Sequence, residues 1–278
     1  MQQIANYFET ISSLHRTLIL WGGLTLFYLL EYLVPLIRFN YKKLNHAGIN
    51  IFFTLTTMVV NFLLAFLIER TTAFTASHHF GAVYLIPLPL WAIMLEGVLL
   101  LDLIGAYTIH LIEHKVKWMW KFHLIHHADT FVDTTTANRH HPGESVFRFI
   151  FTWLAVLIIG APFWIVMLYQ SVSVVLAQFN HANIILPKRI DKFISFIFVS
   201  PNMHKVHHHY MQPYTDSNYG NIFSFWDRLF GTYKTLDPSK LIYGIDTHLS
   251  PDENAAIGNL LAIPFQPYRA PEGSKFSE

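Results

Sequence analysis

The sequence predicts an all-α integral membrane protein. We expect a helical bundle of about three spans plus a re-entrant helical hairpin, with a histidine-rich metal-binding cap on the cytosolic side. The chain is 53% hydrophobic and only 13% charged, whereas a soluble domain carries about 25% charged residues. It also contains four long apolar stretches, and most of its histidines recur at fixed spacings. The net charge of +1 gives no reason to expect nucleic acid as a partner.

The apolar stretches define the predicted membrane segments. The fourth stretch, residues 145–179, is too long for one span. Gly160 and Pro162 interrupt it near its middle, which predicts a helical hairpin that enters the membrane and returns. The other three stretches are each long enough to cross a bilayer once, and they cover residues 17–37, 47–68 and 87–112.

The distribution of basic residues predicts the orientation. Lysine and arginine are concentrated in residues 38–46 and 113–145, whereas residues 69–89 contain only Arg70 and the N-terminal tail contains only Arg16. Short basic connections favour the cytoplasmic side of a membrane. We therefore expect both basic segments, and the histidine motifs that they border, to be cytoplasmic.

Twelve of the seventeen histidines lie between His110 and His209. Eight of them form one H-x-x-x-H motif and two H-x-x-H-H motifs, and chance would produce H-x-x-H-H on the order of 0.06 times in this chain. Offsets of three and four residues bring side chains to one face of a helix. The motifs therefore predict a metal site, and their members are His110 and His114, then His123, His126 and His127, and last His204, His207 and His208.

Eight imidazoles exceed the four ligands that a single zinc site normally uses, so a dinuclear centre is expected. Imidazole suits iron, copper, nickel and zinc alike, and ligand type does not choose among them. The chain has no cysteine, which excludes thiolate-bound zinc and Cys-held iron–sulfur clusters. A metal site at the edge of a bilayer indicates a lipid substrate, and attack on a lipid C–H bond requires a redox metal and O2.

The order of the three motifs resembles that of the fatty acid hydroxylase/sterol desaturase superfamily, particularly its bacterial sterol desaturase-like branch. The resemblance covers roughly residues 90–235 and implies a membrane, non-haem enzyme that uses two iron ions and O2 on a lipid. Further elements around the motifs carry the same resemblance, namely Asp102, Tyr107, Trp120–His123, Arg139–Glu144, Gln178–Asn183, Pro201–His204, Asn218–Gly220 and Trp226–Tyr233.

Two further histidines are candidate ligands. His141 precedes the predicted hairpin and His181 follows it, so folding would bring both near the motifs; a hydrogen-bonding role is the alternative for each. His140 and His209 are treated as neighbours of ligands rather than ligands. The sequence around His46 indicates no role for this residue.

Four carboxylates are candidates to accept a hydrogen bond from the outer nitrogen of a metal-bound imidazole, a common arrangement. They are Asp102, Glu113, Glu144 and Asp227. Many members of the superfamily read H-R-x-x-H at the first motif, whereas this chain has Leu111 as the second residue. Glu113 could instead be solvated at a helix end, and Asp227 could be a surface residue.

The expected function is O2-dependent hydroxylation or desaturation of a lipid of sterol, fatty acyl or alkylglycerol type. No G-x-G-x-x-G fingerprint is present, so an external electron donor such as a ferredoxin, cytochrome b5 or a reductase is implied. The alternatives are a membrane metal carrier without enzymatic activity and a bis-histidine haem protein. We expect N-terminal membrane helices over residues 1–89, a catalytic domain over 90–235 and a cytosolic tail over 236–278.

Overall fold

The computed structural model describes residues 1–276. Within that range every regular element is a helix, as the sequence predicts. Short 3₁₀ turns connect several of the α-helices. The α-helices are α1 (Gln2–Glu9), α2 (Ser13–Leu33), α3 (Lys43–His78), α4 (Leu90–Asp102), α5 (Ile109–Lys115), α6 (Lys117–His127), α7 (Pro142–Ile159), α8 (Phe163–His181), α9 (Lys188–Ile197), α10 (Pro201–His207), α11 (Phe225–Leu229), α12 (Pro251–Asn254) and α13 (Ile257–Ala262).

Four helical segments are long and apolar enough to cross a membrane, and the chain is an integral membrane protein. They contain the second predicted stretch, all but the first three residues of the third, and both arms of the predicted hairpin. The first stretch forms α2, which is not one of the four; its Glu31 is buried and pairs with Lys43 at 2.8 Å. The four segments are Lys43–Tyr84, Leu90–Lys115, Pro142–Ile159 and Phe163–His181.

The hairpin α7–α8 turns where the sequence predicts it to turn. Gly160 ends α7 with a φ of +70°, a left-handed conformation that glycine adopts without steric cost. A Cβ atom at this position would also collide with the carbonyl oxygen of Phe80. Below the turn, Val156, Ile159 and Ile165 are fully buried in the largest hydrophobic core. Close packing across this turn keeps both arms together, so that their opposite ends meet near the histidine motifs.

A π-helical turn lies directly before the first histidine motif. The segment Leu103–Thr108 joins α4 to α5, and the Thr108 hydroxyl donates to the Leu103 carbonyl at 2.7 Å. A π turn holds more residues than an α turn and therefore rotates every side chain that follows it. Such turns are frequent at functional sites. Here the turn sets the direction in which His110 and His114 leave α5.

The C-terminal segment packs against the rest of the chain. Ile245, Leu260 and Ile263 are buried in one core with Trp120 on α6 and Phe53 on α3. Burying side chains of this size typically contributes about 1.5–3 kcal/mol each. The segment after residue 235 therefore supports the helix that carries the second histidine motif.

Candidate metal centre

The structure brings nine histidines together in two adjacent groups. In each group, one ring nitrogen of every member lies within 4.8 Å of those of the others, and all nine side chains are buried. The first group is His110, His114, His123, His127 and His207, and the second group is His126, His181, His204 and His208.

Each H-x-x-H-H motif is divided between the two groups. On α6, His123 and His127 are one helical turn apart and join the first group, whereas His126 points to the second. The third motif mirrors this division, because His207 joins the first group while the two histidines on either side of it join the second. The duplicated motif thus holds the two groups next to each other. The rings of His123 and His126 are 5.1 Å apart.

In the first group, the ring nitrogens that point toward the middle of the group face one another directly. The Nε2 atom of His123 lies 3.1 Å from the Nε2 atom of His110 and 3.1 Å from that of His127. The Nδ1 atoms of His110 and His123 donate outward, to the Tyr219 carbonyl at 2.9 Å and to Glu144 at 2.8 Å. Their Nε2 atoms therefore carry lone pairs that converge, which a metal ion would stabilise.

The second group has the same inner geometry. The Nε2 atom of His181 lies 3.1 Å from that of His204 and 3.2 Å from those of His126 and His208. The Nδ1 atom of His181 donates to the Ala177 carbonyl at 2.7 Å, so its lone pair points inward. Burial lowers the pKa of His126, His204 and His208 well below its ordinary value. Neutral imidazoles are the form that binds metals, and both groups therefore fit a metal ion.

Two carboxylates bind outer nitrogens of the first group. Glu144 accepts from His123, and it also contacts His140 at 2.6 Å and Arg148 at 2.9 Å. Asp216 lies 3.2 Å from the Nδ1 atom of His114 and 2.6 Å from the Lys115 ammonium. Although burial raises the pKa of Asp216, the hydrogen bond from His114 and the Lys115 charge keep it below its ordinary value. Each carboxylate can fix the orientation of one ring.

The other three predicted carboxylates lie further from the ligands. Glu113 pairs with Arg148 at 2.6 Å and is 3.8 Å from the Nδ1 atom of His123. Asp102 accepts from the backbone of Ile222 and Phe223 and from the Trp226 indole.

Asp227 accepts from the backbone N–H groups of Tyr219 and Gly220, and burial raises its pKa to about 6. In place of direct bonds to imidazole, Asp102 and Asp227 hold the loop whose Tyr219 carbonyl accepts from His110.

Among the described residues, His141 lies outside both groups, although its position in the sequence predicts a metal ligand. It caps the N-terminus of α7, where its Nδ1 atom accepts from the Gly143 N–H at 2.9 Å. Its ring packs against Phe122, with the ring centroids 4.9 Å apart. Its neighbour His140 is the one that reaches the centre, through Glu144 and the stacked ring of His126.

Sequence reasoning missed Asp216 and His46. Asp216 lies in a loop with no motif of its own. His46, on α3, is buried between Asp129 at 2.8 Å and Asp133 at 3.2 Å. Asp129 follows the second motif by two residues, which is the signal that could have pointed to this pair. Burial raises the pKa of Asp129, but the His46 ring and the Arg139 guanidinium hold it below its ordinary value.

A cavity of about 680 Å³ connects the centre with the membrane-facing surface. It is bounded by α2, α3, α7 and α8, and His110, His126, His181 and His204 lie at its inner end. Residues 54–65 of α3 line it over about 16 Å of helix. Its walls mix apolar side chains with hydroxyl and amide groups, and they include the charged side chains of Arg16 and Arg148. The cavity is long enough for an extended hydrocarbon chain that ends at the histidines.

The fold and the two histidine groups define a class of protein, the helical membrane proteins with a histidine-rich metal centre. The model of the fatty acid hydroxylase family matches residues 94–232, half of the chain, and the chain belongs to this family. The matched residues include all nine grouped histidines and Asp216, but not His46.

Relatives share the central part of the chain. It is 26% identical over 129 residues to ornithine lipid hydroxylase OlsE of Rhizobium tropici, and this match covers 46% of this chain and 38% of that protein. It is 33% identical over 149 residues to alkylglycerol monooxygenase of Xenopus tropicalis, covering 52% of this chain and 31% of the relative. It is 28% identical over 140 residues to a cholesterol 25-hydroxylase-like protein of Danio rerio, and this match covers 50% of this chain and 54% of that protein.

The match thus spans about a third to a half of the length of these curated relatives. No solved structure matches the chain.

Proposed function

We propose that the protein is an O2-dependent enzyme with two iron ions that hydroxylates or desaturates a C–H bond of a membrane lipid. The observation that carries the proposal is the pair of adjacent, buried imidazole groups at the inner end of a long cavity. Relatives named as a lipid hydroxylase and a monooxygenase support it. Two irons bound by these rings would supply the redox chemistry that activates O2 for C–H cleavage.

The chain's own residues would bind the ions, orient their ligands and enclose the substrate. The five histidines of the first group would hold one ion and the four of the second group the other. Glu144 and Asp216 would fix two rings of the first group through their outer nitrogens. The membrane-spanning helices α3, α7 and α8, which line much of the cavity, would limit the access of bulk water. His141 is left out of this ligand set, since it caps α7.

The shape of the cavity supports a lipid substrate of sterol, fatty acyl or alkylglycerol type. Its outer part is lined by Asn61, Phe62 and Ala65 on α3, and the Phe62 side chain is 81% exposed. A lipid could therefore enter sideways from the bilayer. The same ligands would serve hydroxylation and desaturation, and both outcomes belong to the proposal.

Electrons would come from an external donor such as a ferredoxin, cytochrome b5 or a reductase. In the first group, His114 is linked through Asp216 to the partly exposed Lys115. This chain of contacts would let a donor reduce the centre without entering the cavity. We assign the catalytic role to residues 90–235, with the membrane helices of 1–89 and the tail of 236–278 as supporting segments.

The test is to purify the protein from iron-supplemented cells, measure its metal content, and supply reductant, O2 and the cells' own lipid extract. We expect about two metals per chain and lipids that gain one oxygen or lose two hydrogens by mass spectrometry. His208→Ala should abolish the mass change, whereas the control His78→Ala, an exposed histidine, should keep it. A metal carrier would bind metal in this assay without any change in lipid mass.

The cytoplasmic location of the histidines has its own test, because the chain lacks cysteine. Ser77 at the end of α3 and Ser239 in the C-terminal segment are both exposed. In intact cells, a membrane-impermeant thiol reagent should label Ser77→Cys and should label Ser239→Cys only after the cells are opened. The reverse pattern would place the histidine motifs on the opposite side of the membrane.

A further inference from the structure

Helix α9, Lys188–Ile197, exposes apolar side chains that the rest of the chain does not cover. Phe193 is 82% exposed and Phe196 is 74% exposed, although both are large aromatic residues. Ser195 is buried on the opposite side, where its carbonyl accepts from Arg228 at 2.7 Å and from the Ser224 hydroxyl. The helix is therefore fixed to the protein by its polar side, the reverse of an ordinary surface helix.

The exposed surface of α9 has two neighbouring parts. At 100° per residue, Ile190, Phe193 and Ile197 lie in one arc. Arg189 and Lys192, with Lys188 beyond them, lie in the arc beside it together with Phe196, and all three basic side chains are exposed. An apolar strip flanked by lysine and arginine is the pattern of helices that lie in the membrane interface.

The exposed strip of α9 continues toward α2, the helix formed by the first apolar stretch. The segment between α8 and α9 pairs with the end of α2, where the Ile185 N–H donates to the Val34 carbonyl at 2.9 Å. Ile185 is 53% exposed and Leu33 is 76% exposed, so apolar surface extends from α2 past this segment to α9. Helix α9 also begins seven residues after the end of α8, which is long and apolar enough to cross the membrane.

We propose that α9 lies in the headgroup region of the leaflet next to the metal centre and binds its anionic lipids. Ile190, Phe193 and Ile197 would insert below the headgroups, and the three basic residues would bind phosphate or carboxylate groups of anionic lipids. Each such basic residue typically contributes about 1 kcal/mol at an anionic surface. A second copy of this chain fits less well, because an α9–α9 contact would bring six cations together.

This binding surface is directly connected to the second histidine group. His181 ends α8 seven residues before α9 begins, and His204 lies seven residues after α9 ends. Fixing α9 to the lipid surface would therefore restrain the chain segments that lead to His181 on one side and to His204 on the other. It would hold the inner end of the cavity at a set depth relative to the bilayer. The proposal concerns a surface outside the metal centre and does not depend on which reaction the centre performs.

The experiment uses the cysteine-free full-length chain in lipid nanodiscs. A nitroxide is attached to a single introduced cysteine at Phe193, and its accessibility to O2 and to a water-soluble nickel complex is measured by electron paramagnetic resonance. Leu63→Cys, exposed on membrane-spanning α3, is the lipid-side control, and Ser239→Cys is the aqueous control. We expect the label at position 193 to favour O2 as the label at 63 does, and to lie deeper when phosphatidylglycerol is added to phosphatidylcholine.

The charges are tested by K188Q/R189Q/K192Q in the same labelled background. This variant should remove the effect of phosphatidylglycerol and leave the labels at 63 and 239 unchanged. A label at 193 that is as accessible to the nickel complex as the one at 239 would overturn the proposal. Dipolar broadening that disappears when labelled protein is diluted with unlabelled protein would show instead that α9 contacts a second copy.

Discussion

The two histidine groups have similar inner geometry but differ in what holds their rings from outside. In the first group, four of the five outer nitrogens have an acceptor: Tyr219 O, Asp216, Glu144 and Ser217 O. In the second group, only His181 has one, the Ala177 carbonyl. The outer nitrogens of His126, His204 and His208 have no partner among the described residues.

The groups also differ in what they face. Three members of the second group, His126, His181 and His204, line the large cavity, whereas His110 is the only member of the first group that does. Carboxylates on ligand imidazoles increase their basicity and fix their orientation. The comparison indicates a first group that is held by its outer contacts and linked through Asp216 to the exposed Lys115, and a less constrained second group that faces the cavity.

The largest expected effect is the loss of a ligand. His207→Ala, in the first group, and His208→Ala, in the second, should each abolish lipid oxidation and reduce the metal content from about two ions to about one. The remaining ion should be held more tightly in His208→Ala, because the first group keeps its carboxylate contacts. Elemental analysis during titration with a chelator checks this. Equal resistance to chelation in the two variants would contradict the difference between the groups.

A smaller loss is expected from the carboxylates behind the first group. Glu144→Gln keeps the size of the side chain but removes the charge that faces His123, His140 and Arg148. Changes of this kind typically cost about 10–100-fold in metal affinity or activity. Asp237→Asn, at an exposed turn, is the control. If Glu144→Gln weakens metal binding by the second group more than by the first, the effect of the substitution does not arise from the contact between Glu144 and His123.

The histidine spacing was enough to predict the centre but not its partition. Offsets of three and four place histidines on one side of a helix, yet whether His126 joins His123 or turns away depends on how α6 and α10 cross. His141 and His140 show the same limit. His141 is the N-cap of α7, so of these two histidines only His140 contacts Glu144.

The missed residues depend on contacts between distant parts of the chain. Asp216 reaches His114 across about a hundred residues of sequence, and His46 reaches Asp129 across eighty-three. The position of Asp129 two residues after the second motif marks that carboxylate, but no local pattern encodes its distant partner. The apolar stretches, by contrast, predicted the helices well, because membrane burial depends on composition over whole segments.

Because the second group lines the cavity, we expect that a change in the cavity can lower the turnover of substrate without lowering the metal content. Ala65 lies on α3, and Ala65→Trp should fill the outer part of the cavity, far from the two histidine groups. We expect kcat/KM for a long-chain lipid to fall about tenfold or more, since small displacements of a bound substrate are costly. Metal content should stay at the wild-type value. Leu63→Trp, which faces outward from the same helix, is the matched control.

The smallest direct effect on the groups is expected from His46, which touches neither of them. Its ring lies between Asp129 and Asp133, and Arg139 extends the same network to the Ile125 carbonyl on α6. His46→Ala leaves two buried carboxylates without this partner, and breaking a buried pair costs about 3–5 kcal/mol. We therefore expect a clear fall in the unfolding temperature, measured in detergent, while protein kept below that temperature retains both metals. If His46→Ala unfolds like the wild type, this network does not stabilise the second motif, and α6 must be held by its hydrophobic contacts alone.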